Sequence, residues 1–161
     1  MSKGIMRVYY GEGHGKSTAA FGTAIREIAQ GRTATMISFL RKKHEGREEL
    51  YKRFEPELKF FRFEKSVECF DALSEEEKEE EAMNLRNGFN YSKKVVSTGG
   101  CDLVVLDEVL DLVENGIISE DALLELISLI PDDMVVICTG KSLRDGIRHM
   151  ADEVYQITLE K

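Results

Sequence analysis

No stretch of this sequence approaches the roughly 18 consecutive apolar residues of a membrane-spanning helix, which argues against a transmembrane protein. The N-terminal MSKGIMRVYY lacks the roughly 7–15-residue apolar core of a signal peptide, and a cytoplasmic protein is expected. Cysteine is scarce: Cys69, Cys101 and Cys138 are odd in number, far apart and in no CxxC pair. That spacing suggests neither a disulfide framework nor a zinc site. Basic residues are outnumbered, 22 Lys and Arg against 30 Asp and Glu, for a net charge of -8. A nucleic-acid partner needs clustered positive charge, so none is expected. The 161 residues, 42% hydrophobic, suffice for one well-buried domain, and 1–161 is read as a single unit.

Short β-type runs alternate with helical periodicity along the chain. IMRVYY is followed by a glycine-rich loop, after which Phe21, Ala24, Ile25 and Ile28 recur at helical spacing up to Gly31. TATMISFL (33–40) and ELKFFRF (57–63) read as strands, CDLVVLDE (101–108) and MVVICTG (134–140) as strands covered on both faces, and EVYQITLE (153–160) as the last. A long helix opens at Ser74, where Glu77 completes a capping box, and stops at Gly99 and Gly100. Its glutamate run is read as a solvated face. SEDALLELISLIP (119–131) and 142–150 are further helices. The alternation implies an α/β fold, doubly wound, with a mostly parallel sheet of about six strands and helices on both faces.

RVYYGEGHGKSTAAFG (7–22) carries the chemistry. A strand, a glycine-rich turn and Lys-Ser opening a helix form a phosphate-binding loop, where backbone N–H groups and the helix dipole converge on an anion. Tyr10 stands where the usual pattern has its first glycine, and the glycines fall at Gly11, Gly13 and Gly15. Lys16 is placed to reach phosphates as a point charge and Ser17 to ligate Mg²⁺. Such sites also need a carboxylate at the end of a neighbouring apolar strand, and LVVLDE supplies Asp107 and Glu108. No residue stands out to orient an attacking water, though Glu108 is placed to serve. A triphosphate-binding site is thus expected, with the bond to be broken left open.

GEGHGKSTAAFGTAIREIAQG resembles the signature of the ATP:corrinoid adenosyltransferases of the cobalamin pathway, in which a Gly-x-Gly-x-Gly-Lys-Thr-Thr-Ala-Ala-Phe-Gly run continues to an Arg. The displaced first glycine is that family's own form of the loop. SFLRK, LVVLDE and VVICTGK are similar to further family motifs. The resemblance implies a RecA-like P-loop fold and transfer of the 5′-deoxyadenosyl group of ATP to the Co(I) of a reduced corrinoid, with release of triphosphate. Carried over by position, Gly11, Glu12, Gly13, His14, Gly15, Lys16, Ser17 and Thr18 would hold the polyphosphate. Lys16 and Arg26 would neutralise it, Ser17, Asp107 and Glu108 would bind Mg²⁺, and Arg41 would contact a substrate. His14 stands where the family has Lys. The family carries a Phe-x-Trp near its third strand; this chain has no Trp, and Phe61 and Phe63 are the candidates to line the corrin. A homodimer, and a flavin-dependent reductase to supply Co(I), are implied partners. Two rival readings are a P-loop ATP-binding switch or regulatory ATPase without a corrinoid site, and, more weakly, a nucleoside or metabolite kinase.

Overall fold

A computed structural model describes residues 2–40, 47–66 and 68–161. The first strand, β1 (Ile5–Tyr10), alternates as a strand between two layers must: Met6 and Val8 enter the core on one face, Tyr9 the core on the other. β2 (Ala34–Ser38) and β4 (Leu103–Asp107) are buried at every position, and β5 (Val135–Gly140) at all but its first. Such runs are what central parallel strands require. With β3 (Leu58–Arg62) and β6 (Glu153–Gln156) they form one six-stranded sheet in the order β3-β2-β4-β5-β1-β6, every pairing parallel.

Parallel neighbours need crossover connections, and helices supply them on both faces. One face is covered by α1 (Lys16–Ala29), which buries Ala20 and Ala24, and by α2 (Arg47–Lys52) with the turn after it, joined through ring contacts of Phe21 with Tyr51 and Phe54. The other face carries α3 (Glu75–Thr98), α4 (Val109–Glu114), α5 (Glu120–Ser128) and α6 (Asp145–Met150) over the larger core. The capping box at Ser74 and Glu77 is formed, and Gly99 ends α3 in left-handed backbone.

Three departures from expectation have physical causes. α4 is a helix that the sequence hides, because its VLDLVE continues the apolar run of β4. The change of period occurs at Glu108, a non-glycine residue with φ 65°. The last strand stops at Gln156 rather than running to 160, because β1 ends at Tyr10 and the chain bends there into the glycine-rich loop, so the regular ladder ends. The glutamate run is not solvated throughout: Glu81 is buried and accepts from the N–H groups of Lys65 (2.6 Å) and Ser66 (3.0 Å), tying the exit of β3 to α3.

Because all six strands point the same way, the loop after β1 and the ends of β2, β4 and β5 share one edge of the sheet, the edge at which open α/β sheets bind ligands.

Candidate functional site

β1 and β4 are not neighbours; β5 lies between them. The spacing is bridged by side chains. Ser17, in the first turn of α1, donates its hydroxyl to Asp107 Oδ1 at 2.7 Å. Thr139 of β5 donates to the same oxygen at 2.8 Å and accepts from the Glu108 N–H at 2.7 Å. Asp107 and Thr139 are both fully buried, so the carboxylate is fixed by partners rather than by water. Asp107 is the carboxylate that accepts from Ser17, and Glu108, the next residue, is the N-cap of α4.

The loop ends in Gly15 at φ 106°, which sits at the N-cap of α1 without a side-chain cap. The first-turn N–H groups of a helix have no helical partner, and the first to bond back here is Ala19, to the Gly15 carbonyl. The amides before it therefore form an electropositive end for an anion. Lys16 folds over the loop, its Nζ donating to the Gly13 carbonyl at 2.8 Å. Asp111, half-buried on α4, accepts from the Lys141 N–H after β5 at 3.1 Å. Burial raises its carboxyl above the ordinary range, opposed by that hydrogen bond and by the charges of Lys141 and Lys16. Two hydroxyls, a buried carboxylate, a lysine and a helix N-terminus thus converge at the loop after β1.

A family model described as ATP:corrinoid adenosyltransferase BtuR/CobO/CobP matches residues 2–161. The chain belongs to this family. It is therefore a transferase that moves an adenosyl group to a corrinoid. The corrinoid adenosyltransferase of Escherichia coli (strain K12) is 26% identical over 155 residues, which are 96% of this chain and 76% of that protein. That of Pseudomonas aeruginosa is 24% identical over 160 residues, 99% of this chain and 77% of its own. Among solved structures, a KaiC-like protein from Pyrococcus horikoshii OT3 aligns with a TM-score of 0.65 at 18% identity, over 98% of this chain and 72% of that one. At that identity the likeness is one of fold, and it agrees with the RecA-like architecture that the resemblance implied.

In this adenosyltransferase the sequence-expected residues divide into groups. Gly11 to Thr18 form one loop and helix start, with Glu12, His14 and Thr18 exposed, and Asp107 and Glu108 lie beside it. Arg26 is not brought to the cluster. It is exposed in the last turn of α1, roughly 14 Å along the helix axis from Ser17. Phe61 and Phe63 face the other layer, against Tyr91 of α3 at ring separations of 5.0 and 5.6 Å. Phe61 lies in β3 and Phe63 just past its end, where the chain keeps the alternation that puts both on the α3 side. Arg41 lies outside the described residues.

Thr139 and Asp111 were not singled out by the sequence. Thr139 carries a legible signal, a lone hydroxyl in an apolar strand just before a Gly-Lys pair. Asp111 carries none. Among the described residues no cluster of three or more His, Cys, Asp or Glu side chains forms a metal site, and no helix is long and apolar enough to cross a membrane.

Proposed function

We propose that this enzyme, acting as a single cytoplasmic nucleotide-binding domain within a homodimer, transfers the 5′-deoxyadenosyl group of Mg²⁺-ATP to the Co(I) centre of a reduced corrinoid. The observation that carries this reading is the contact of Ser17 with buried Asp107 at the N-terminus of α1, within a chain that belongs to the adenosyltransferase family. The cobalt electron pair forms the new bond to ribose C5′. The C5′–O bond breaks, and its electrons leave on an α-phosphate oxygen of triphosphate.

The reaction asks little acid–base work of the protein. It asks for alignment of two substrates and stabilisation of a polyanionic leaving group. The amides of the loop and first turn of α1 bind the phosphates, and Lys16 exchanges the Gly13 carbonyl for a phosphate oxygen. The Ser17 hydroxyl and Asp107 carboxylate are hard oxygen donors of the kind that suit Mg²⁺, whose remaining ligands in such sites are phosphate oxygens and water. When bound, the ion neutralises charge on the triphosphate. Arg26 has no part in this assignment, being too far along α1. A flavin-dependent reductase is the electron donor that fits a Co(I) substrate.

Anaerobic incubation with ATP, Mg²⁺ and chemically reduced corrinoid, followed by phosphorus NMR, tests the reading. Inorganic triphosphate is the expected first phosphorus-containing product, formed only when reduced corrinoid is present. Corrinoid-independent ADP as the main product would replace it with the regulatory ATPase.

A further inference from the structure

Gly11 and Gly13 look like phosphate-binding glycines, yet both are buried and committed to the protein itself. The Gly11 N–H donates to the Gly140 carbonyl of β5 at 3.1 Å. On its other side the chain leaving β6 passes directly over the loop. The Ile157 N–H donates to the Tyr10 carbonyl at 2.8 Å, and the Ile157 carbonyl accepts from the Gly13 N–H at 3.2 Å. The approach is backbone to backbone. A Cβ on Gly11, whose φ is 133°, would collide with the Ile157 carbonyl oxygen, and one on Gly13 would lie 3.1 Å from the Thr158 carbonyl carbon. The Ile157 side chain packs against the α1-side core, which fixes the segment from below.

We infer that Ile157 is a positioning residue for nucleotide binding: its backbone clamps Tyr10 to Gly13, so that the Gly13 amide, like that of Gly11, is withdrawn from the triphosphate. The inference rests on the proposed ATP site. It explains the spacing of the first two glycines by a clash with the protein rather than with a phosphate, leaving Gly15 as the glycine of the cradle proper. An amide already paired is withdrawn from the ligand, and a loop held in its bound form loses less freedom on binding.

Two measurements decide the matter. Amide hydrogen exchange in the nucleotide-free protein should show Gly13 protected at least about 100-fold relative to the neighbouring Glu12, and still protected with ATP bound. Ile157→Pro, which deletes the N–H but leaves the loop sequence untouched, should raise the Kd for ATP about tenfold, while Ile157→Val binds as wild type. Gly13 exchanging as fast as Glu12, or an unchanged Kd in folded Ile157→Pro, overturns the inference. If the proline variant does not fold, the exchange measurement still decides. Failure of the wild type to bind ATP would instead strike the proposed function, and exchange without nucleotide separates the two failures.

Discussion

The Ser17 hydroxyl meets Asp107 at 2.7 Å from a position ninety residues earlier in the chain. The pairing exists because β5 holds β1 and β4 one strand apart and Thr139 fills the space between them. If this oxygen pair receives Mg²⁺, Asp107→Asn should lower ATP affinity at least about tenfold in the presence of Mg²⁺ and leave it unchanged in EDTA. A stability loss of about 1–3 kcal/mol is also expected, since a buried acceptor of two hydroxyls is altered. Calorimetric titration with and without the metal checks the first, and urea denaturation the second. Equal effects of the substitution in both titrations would remove Asp107 from the metal site.

Lys16 is half-exposed; its Nζ donates to a neutral acceptor, the Gly13 carbonyl, and its charge bears on the half-buried Asp111. Lys16→Ala should therefore weaken ATP binding about 10- to 100-fold, the worth of a charge-assisted hydrogen bond. The melting temperature should stay within about 2 °C of wild type. Equilibrium binding of a fluorescent ATP analogue measures it; wild-type affinity would mean that the loop does not hold the triphosphate.

Much of the molecule was legible because two signals were local. Apolar runs such as LVVLD and VVICT name central strands directly, and Gly-Lys-Ser after a strand marks the loop and the helix that opens at Lys16. The unread part is long-range. The sequence does not show that Gly13 faces Ile157, that Glu81 leaves the solvated glutamate run to hold Lys65 and Ser66, or that Arg26 ends on the outer turn of α1. Each of these depends on which element packs where. The α4 helix shows a different limit: an apolar run that continues from strand into helix has no period to read, and only the positive φ of Glu108 divides it.

Phe61 and Phe63 give a prediction of the same kind. Both rings pack on Tyr91, and the Phe63 ring lies so close to Gly88 that a Cβ there would approach it to 2.8 Å. Alanine at either position should cost about 2 kcal/mol and lower the melting temperature by roughly 5 °C, with no change in ATP affinity. Slowed adenosyl transfer at unchanged melting temperature would instead place these rings on the corrin.

The last prediction concerns Glu64, whose side chain is 1% exposed beside the Arg62 guanidinium at 3.0 Å. Burial pushes its carboxyl up to about 7 from an ordinary value of 4.5; Arg62 opposes the shift, and the nearby charge of Glu81 adds to it. Folding therefore favours the protonated form. Between the ordinary value and about 7 the native state holds a proton that the unfolded chain has released, so stability falls as pH rises through this window and levels off above it. The expected loss is about 2 kcal/mol between roughly pH 5.5 and 8. Glu64→Gln keeps an oxygen for Arg62 and cannot ionise, so its urea midpoint should change less over the same range and exceed that of wild type at pH 8. A wild-type midpoint that is flat across the window, or one that falls equally in the glutamine variant, would show that Glu64 stays ionised in the folded protein.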